Sequence, residues 1–326
     1  MSITTSTRPS SFRRPASVAM LTLALVTMPT VASPGMAPSA HAAVWSCSST
    51  TPVASRPQLR RGDTGSCVTV LQRALIAKGY SVGGSGADGS FGSATDLAVR
   101  RFQSDYVGVK VDGVVGQQTW GTLVNGGTRY SRSAGPNRTS RVVLSFDDCP
   151  SSYSTFQGAV LGAERIGVAL VLFPTGNCIT SGKFSASYAR AHGHYVFNHS
   201  VSHPDLTTLS YANVRSQLSA PGVVTTYGRP PYGAYNNTVL NAYASKGIRV
   251  WTWTVDTRDW TGKTQSSVVS YAVSNSRAGS TVLMHMQWRA FNATAISQMK
   301  SGLASRGLAV CANRGPTAVS PSSVAC

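Results

Sequence analysis

Two adjacent carboxylates stand at the end of a strand-like segment of the sequence. Residues 142–146 are β-formers, and Asp147 and Asp148 follow them directly, shortly before Pro150. Aspartate and proline are poor strand residues, so we expect the strand to end here. Neighbouring strand residues point to opposite faces, so both carboxylates can serve one centre only where the strand ends. The alternative interpretation is an ordinary turn.

Two histidines form the second candidate group. His199 and His203 lie in the segment NHSVSHP and are four residues apart, which in a helical turn places both imidazoles on one side. Pro204 disfavours a helix beyond a single turn. Two histidines and one carboxylate are a common ligand set for a catalytic divalent metal, with one position open for water. Together with Asp147 and Asp148, the pair therefore predicts a metal site.

Further polar residues lie at the ends of later strand-like segments or in the loops that follow them. In barrels of alternating strands and helices, the groups at the carboxyl ends of the strands face the site. These groups are Asp256 and Asp259 in VDTRDW, His285 in VLMHM, and Arg229 and Tyr232 in GRPPYG. Ordinary turns do not explain why so many acidic, basic and histidine residues lie at strand ends, so we expect these residues to form one site.

The elements that must position these residues alternate along the chain after residue 141. Strand-like segments cover residues 142–146, 166–173, 194–197, 248–255 and 281–286, and helix-like segments cover 183–192, 211–219, 237–245, 265–277 and 293–305. This alternation predicts an α/β fold with a largely parallel sheet or barrel. The segment 141–326, at roughly 185 residues, is shorter than the ~250 typical of a complete eight-fold barrel.

The preceding part of the chain contains an internal repeat. DGSFGSAT at residues 88–95 is followed by DGVVGQQT at residues 112–119, and each copy leads into a helix-like segment. Upstream, in the segment VTVLQRALIAKGY, a helical period places Val68, Leu71, Leu75 and Ile76 on one face. We therefore expect three short helices around one small core. Residues 126–140 are rich in glycine, serine and arginine without periodicity, which predicts a flexible linker.

The first 42 residues have the pattern of a secretory signal peptide. Three arginines precede the apolar residues 18–26, and Ala40 and Ala42 fit the small-residue pattern of a cleavage site after Ala42. The apolar stretch is too short to span a bilayer, and no later segment is long and apolar enough. We expect a secreted protein without a membrane span, extracellular or associated with the cell wall. The sequence leaves open whether export uses a twin-arginine route.

The charge balance narrows the partners. The chain has 29 lysines and arginines against 11 acidic residues, a formal net charge of +18. Such an excess favours anionic partners. Export makes nucleic acid an unexpected partner, so we expect none, and anionic wall polymers remain.

Six cysteines remain after the signal segment. An even number in an exported chain indicates disulfides, and the spacing suggests neighbours, namely Cys47–Cys67, Cys149–Cys178 and Cys311–Cys326. No CxxC pair occurs, which argues against an all-cysteine zinc site. A thiolate of Cys149 as a metal ligand is the alternative use for that residue.

The motifs SFDDC, HSVSHP, RPPYG, DTRDW and LMH occur in the order and spacing of the NodB-like polysaccharide deacetylases, carbohydrate esterase family 4. The resemblance covers residues 141 to about 310. It implies a distorted, incomplete (β/α) barrel and metal-dependent removal of acetyl groups from N-acetylated sugars. The implied cofactor is one divalent metal ion, zinc in the first place, with cobalt or another divalent ion as alternatives.

The resemblance also implies a role for each matching residue. Asp148, His199 and His203 correspond to the metal ligands, Asp147 to the general base and His285 to the general acid. The remaining implied roles orient these groups or bind substrate. Arg229 would orient Asp147, Asp256 would orient His285, the Tyr232 backbone N–H would help to hold the oxyanion, and Trp260 and Leu283 would form walls for the sugar and the acetyl methyl.

Two positions depart from the family pattern. Cys149 replaces a usual glycine, and Met286 stands where the family often has aspartate after the last histidine. The second departure puts a supporting contact in doubt, while the acid itself is retained.

Residues 56–125 resemble the type 1 peptidoglycan-binding domain, through LRRGDTGSCVTVLQRALIAKGY, ADGSFGSATDLAVRRFQ and VDGVVGQQTWGTL. This implies binding to wall glycan or its stem peptide. The expected substrate is N-acetylated peptidoglycan or a related chitin-type glycan, with acetylated xylan not excluded. A zinc-dependent wall amidase and a non-catalytic wall-binding protein are the alternatives. A non-haem iron oxygenase shares the ligand types but has no use for Asp147, Arg229 and His285.

Overall fold

The computed structural model describes residues 43–223 and 225–326. The expected signal peptide, residues 1–42, lies outside the described residues. Among the helices of the described ranges, none is long and apolar enough to cross a membrane.

Three helices build the N-terminal module, as the sequence predicts: α1 (Ser66–Ala77), α2 (Ser93–Ser104) and α3 (Gln117–Asn125). Their core contains Leu71, Leu75, Phe102 and Trp120, all fully buried. Ile76, which the helical period places with this core, is instead 46% exposed. It lies in the last turn of α1, at the border of the apolar face.

The internal repeat forms two equivalent caps, each around one buried glutamine. Gln72 donates to Asp88 Oδ1 and to Thr95 Oγ1, and its amide oxygen accepts the Gly89 N–H. Gln103 makes the corresponding contacts with the second copy, Asp112, Gly113 and Thr119. Each Asp-Gly turn therefore satisfies a buried amide that would otherwise be costly.

Within the described residues, seven parallel strands form the second domain. They are β1 (Val143–Asp148), β2 (Leu170–Pro174), β3 (Tyr195–Val196), β4 (Tyr227–Gly228), β5 (Arg249–Val250), β6 (Val255–Asp256) and β7 (Thr281–His285). One sheet has the order β3-β2-β1-β7-β6, and β4 pairs with β5. A parallel bridge between Asn198 and Gly228 connects the two sheets. The strands thus follow each other around a barrel that is open between β5 and β6.

Helices cover the outside of this barrel. They are α4 (Tyr153–Arg165), α5 (Gly176–Thr180), α6 (Ala186–Ala191), α7 (Tyr211–Gln217), α8 (Asn237–Ser245), α9 (Gln265–Asn275) and α10 (Ala293–Ser305). The sequence does not predict α4 and α5. The side chain of Ser152 caps α4 by accepting the Thr155 N–H, so the serines after the Asp-Asp pair start a helix.

Alternation along the strands separates two apolar layers. Leu144 and Phe146 face the helices with Leu170 and Leu172. Residues of opposite parity fill the barrel interior, namely Val143, Val171, Phe173, Tyr195, Phe197, Tyr227 and Trp251. The expected strand segment 248–255 is in fact two strands, β5 and β6, which lie on either side of the barrel opening.

All three expected disulfides are present: Cys47–Cys67, Cys149–Cys178 and Cys311–Cys326. The second joins the loop after β1 to α5. The third lies beside the barrel interior. Because Cys149 is disulfide-bonded, it is not a thiolate ligand.

Residues 126–140 differ from a flexible linker. Tyr130 is buried among the aromatic side chains of the barrel interior. The Thr252 N–H donates to the carbonyl of Arg132, and Gly135 lies so close to the Trp251 indole that a Cβ has no room there. This segment packs beside the barrel opening because its few apolar and small residues find tertiary partners.

Candidate metal centre and active site

The end of β1 turns both carboxylates toward one centre. Asp148 has a left-handed backbone, with φ of 73°, and its carbonyl accepts the Thr175 N–H. This conformation is rare for a residue other than glycine and breaks the alternation of the strand. Asp147 and Asp148 therefore both face the site, as expected from a strand that ends there.

Left-handed residues also bring the two histidines together. Ser200 and His203 have φ of 65° and 60°, and the imidazole centroids of His199 and His203 lie 4.9 Å apart. The expected helical turn is wrong. The chain instead bends because Asn198 Oδ1 accepts the Ser200 N–H and Ser200 Oγ accepts the His203 N–H. Strained backbone of this kind is concentrated at functional sites.

Three possible ligand atoms converge at this point. Asp148 Oδ1 lies 3.3 Å from His199 Nε2 and 3.2 Å from His203 Nε2. One ligand atom from each of these residues lies within 4.8 Å of the others, and Asp148 Oδ1 is buried and has no hydrogen-bond partner among the described residues. His199 Nδ1 lies 2.8 Å from the Arg229 carbonyl oxygen and so carries the proton. Its Nε2 then presents a lone pair toward a carboxylate oxygen, an arrangement that a cation would satisfy.

The pKa values of the three residues at this centre are shifted, each for its own reason. Burial favours the neutral form of Asp148, but the imidazole of His199 beside it outweighs burial and holds the pKa of Asp148 well below its usual range. Burial also disfavours the imidazolium of His199, but Asp147 and Asp148 raise its pKa. Burial, together with the charge of His199, lowers the pKa of His203.

Asp147 is fixed by a buried arginine. Arg229 Nη1 lies 2.6 Å from Asp147 Oδ1 and 3.1 Å from Ser145 Oγ. The same guanidinium donates to the carbonyl oxygens of Trp251 and Thr252. The second carboxylate oxygen, Oδ2, remains 3.7 Å from His199 Nε2. The expected contact of Arg229 with Asp147 is present, and it directs Oδ2 toward the centre.

His285 is held by a different aspartate from the one expected. Its Nδ1 lies 2.7 Å from Asp259 Oδ1, and its backbone N–H donates to Asp259 Oδ2. Asp256 Oδ1 instead accepts the N–H of Arg258, whose left-handed φ of 54° turns the chain so that Asp259 reaches His285. The orienting role expected of Asp256 is therefore wrong, although Asp256 still lines the site.

A cavity of about 410 Å³ joins the parts of the site. Its wall includes Asp147, Asp148, His199, His203 and His285. Tyr232, Trp260 and Leu283, the residues expected to contact substrate, all lie in its wall. Tyr232 also has a left-handed φ of 60°. Two further lining residues, Trp253 and Gln287, are not predicted from the sequence. Gln287 donates to Asp148 Oδ2 at 2.7 Å, so the residue after Met286, where the chain departs from the family pattern, holds the candidate ligand carboxylate.

The pKa of His285 is also shifted. Burial disfavours its imidazolium, but the hydrogen bond to Asp259 and the charge of Asp147 outweigh burial and raise the pKa of His285. The ring therefore holds its proton to a higher pH than an exposed histidine does, as a general acid requires.

A parallel barrel with an Asp–His–His cluster at the carboxyl ends of its strands defines an α/β-barrel enzyme. Comparison with known proteins makes this specific. The model of the family described as polysaccharide deacetylase matches residues 134–251, and that of a putative peptidoglycan binding domain matches residues 64–123.

Individual relatives agree with these matches. The chain is 30% identical to a chitooligosaccharide deacetylase of Rhizobium leguminosarum bv. trifolii, over 44% of this chain and 70% of that protein. It is 32% identical to a peptidoglycan-N-acetylglucosamine deacetylase of Listeria monocytogenes over 44% of this chain, but it spans only 32% of that protein. The solved structure of a family 4 carbohydrate esterase from Streptomyces lividans is 28% identical, with a TM-score of 0.46, over 56% of this chain and 98% of that one.

The chain belongs to the polysaccharide deacetylase family, and it has a peptidoglycan-binding domain on the N-terminal side. The family match ends at Trp251, so Asp259 and His285 lie beyond it. The assignment of that pair rests on the geometry described above.

Proposed function

We propose that the protein is a secreted, metal-dependent deacetylase that removes N-acetyl groups from peptidoglycan sugars and releases acetate. One observation carries this proposal. The cluster Asp148–His199–His203, the Arg229-bound Asp147 and the Asp259-bound His285 all line one cavity. Ligands, base and acid are the groups that hydrolysis of an unactivated amide requires.

Asp148, His199 and His203 would hold one divalent cation. Two imidazoles and one carboxylate suit zinc, and cobalt or another divalent ion is compatible with the same donors. When bound, such a cation polarises the amide carbonyl and lowers the pKa of water. Gln287 holds Asp148 Oδ2 and leaves Oδ1 directed at the histidines.

Asp147 is the general base in this proposal. Arg229 occupies its Oδ1, so Oδ2 is the oxygen that takes the proton of the attacking water. Because Arg229 is fully buried and anchored to two backbone carbonyls, the carboxylate is held in one direction. Precise orientation of a base is part of what makes proton transfer effective.

His285 is the general acid. Asp259 accepts the Nδ1 proton, so Nε2 is the nitrogen that donates to the departing amine. His285 and Asp147 are register partners on β7 and β1, which keeps acid and base adjacent.

The cavity wall supports an N-acetylated sugar as the substrate. Leu283 is an apolar neighbour for an acetyl methyl, and the exposed indole of Trp260 offers a stacking face for a sugar ring. The backbone N–H of Tyr232 is our candidate donor to the acetyl carbonyl oxygen, since Tyr232 lines the cavity in a constrained conformation.

The N-terminal module supports peptidoglycan as the polymer that carries this sugar. The module matches a peptidoglycan-binding family, and one relative is by its name a peptidoglycan-N-acetylglucosamine deacetylase. The excess of basic residues adds attraction to anionic wall polymers. Export, suggested by residues 1–42, would bring the enzyme to that substrate.

Acetate release from purified peptidoglycan, chitin oligomers and acetylated xylan, measured side by side, tests the proposal. We expect release from peptidoglycan, with the double variant His199→Ala/His203→Ala as the inactive control. New peptide amino termini without acetate would identify a wall amidase instead. Binding to peptidoglycan with neither product would identify a non-catalytic wall protein.

A further inference from the structure

The N-terminal module and the barrel are joined by a dense set of polar contacts at the carboxyl end of α2. Arg249, the first residue of β5, donates from its guanidinium to the carbonyl oxygens of Gln103, Ser104, Tyr106 and Val109. The carbonyls at the end of a helix carry partial negative charge and lack partners within the helix. A single arginine of the barrel therefore satisfies the end of a helix in the module.

A second set of contacts runs through the segment that connects the domains. We call residues 128–137 the joint segment. Arg132 Nη2 lies 2.7 Å from Asp105 Oδ1, and the Tyr130 N–H donates to the Asp105 carbonyl. On the other side, the Thr252 N–H donates to the Arg132 carbonyl. The joint segment thus binds the end of α2 and the residues after β5 at the same time.

Apolar packing supports these hydrogen bonds. Tyr130 is buried and stacks on Tyr227 of β4 at a centroid distance of 6.3 Å. The Arg249 guanidinium lies 5.7 Å from the centre of the Tyr130 ring. Helix α2 of the module also packs against helix α8 of the barrel. A linker that only tethers two domains makes few such contacts.

We infer that the wall-binding module is a fixed part of the enzyme and that Arg249 is the residue that fixes its position. This inference rests on the proposed function. A flexible tether would raise only the local concentration of substrate. A fixed module instead holds the active site at a defined distance and orientation from the segment of wall that the module binds. Arg249 acts as a positioning residue, because it lines no part of the catalytic cavity.

Two variants of the full-length protein open the joint from opposite sides. Arg249→Met removes the donor on the barrel, and Asp105→Asn weakens the ion pair on the module. Arg165→Met on the barrel and Asp88→Asn on the module are the matched controls, because neither residue lies near the joint segment. Arg165 is exposed and has no ion pair within the described residues, and Asp88 is exposed and contacts only Gln72 and Ser90 of the module among the described side-chain hydrogen bonds.

Four measurements separate a fixed module from a tether. We expect trypsin cleavage after Arg129 or Arg132 to become about tenfold faster in both joint variants, because opening exposes the segment. Acetate release from soluble chito-oligosaccharides should stay within about twofold, and sedimentation with peptidoglycan should be unchanged, because neither site is altered. Acetate release from intact peptidoglycan should fall at least about fivefold, because the bound wall is no longer correctly presented. Both controls should behave as wild type.

Three results would overturn the inference. An unchanged rate on peptidoglycan in an opened variant would mean that a tether suffices. Equal losses on both substrates would mean that Arg249 supports the barrel itself. Unchanged trypsin cleavage would mean that these residues do not hold the joint. If wild type releases acetate from no substrate, the proposed function fails, while the cleavage comparison still tests the joint.

Discussion

Nδ1 of His285 lies 2.7 Å from Oδ1 of Asp259, and the backbone N–H of the same histidine donates to the other oxygen of that carboxylate. The aspartate is almost completely buried. This double contact fixes both the tautomer and the direction of the imidazole. It makes Asp259, and not Asp256, the carboxylate that contacts the proposed acid.

Asp259→Asn should therefore change the pH dependence of the reaction. Loss of the negative acceptor lowers the pKa of His285, and the acid is active only while protonated. The basic limb of kcat/KM should move to lower pH, and the rate at the optimum should fall by at least about tenfold, a part of the 10²–10⁴ that a positioned acid contributes. The matched variant Asp256→Asn should leave the basic limb in place. A shift in Asp256→Asn alone would contradict this assignment.

Asp147→Asn and Asp148→Asn should fail in different ways. Asp148 is one of three possible ligands, so its amide variant should lose metal affinity together with activity. Asp147 is bound by Arg229, and its loss should leave the metal bound while turnover falls by about 10²–10⁴. Metal content after dialysis, measured beside the rate, tests this. Equal metal retention in both variants would refute the division of labour.

His194 should make the fold sensitive to acid. It accepts the Leu170 N–H at Nδ1 and donates from Nε2 to the Val160 carbonyl, and burial lowers its pKa from 6.5 to about 4. Between these values the unfolded chain binds the extra proton, so stability is fully present above pH 6.5 and falls as the pH decreases toward 4. The loss should reach about 3 kcal/mol.

Urea unfolding of metal-free protein between pH 7 and pH 4 measures this effect. His194→Gln should lower stability at pH 7 but flatten its decrease toward acid. His192→Gln, which removes a partly exposed pairing with Glu164, should keep the wild-type slope. A wild-type slope in His194→Gln would assign the acid sensitivity to other groups.

Two truncations should separate the module from the barrel. Deleting residues 43–126 keeps the joint segment, so deacetylation of soluble chito-oligosaccharides should persist while acetate release from intact wall declines sharply. Deleting residues 43–137 also removes Tyr130, which is buried in the barrel interior, and the Arg132 carbonyl that accepts the Thr252 N–H. Activity on both substrates should then fall together. Equal soluble activity in the two truncations would show that the barrel does not need the joint segment.

The sequence predicts the barrel and most of the site because strand ends and ordered motifs are local features. Asp147, Asp148 and the two histidines could be placed on this basis. The choice between Asp256 and Asp259 could not, because Asp256 ends β6, Asp259 follows three residues later, and the left-handed backbone of Arg258 decides which one reaches His285. No periodicity reports such a turn.

The flexible linker predicted for residues 126–140, which contain the joint segment, is wrong for a related reason. Its glycines, serines and arginines are typical of flexible chain, and its order depends on tertiary partners such as Asp105 and Trp251. The sequence does not predict the contact of Gln287 with Asp148, because Gln287 belongs to no motif and the two residues are 139 positions apart in the sequence.

Reconstitution of the metal-free enzyme tests the central claim most directly. Metal-free protein should release no acetate from purified peptidoglycan, and titration with zinc should restore release with a break at one equivalent, because the three ligand residues form a single site. The His199→Ala variant should show neither the break nor the activity. Full acetate release by the metal-free protein, or zinc-restored release in His199→Ala equal to that of wild type, would contradict the account.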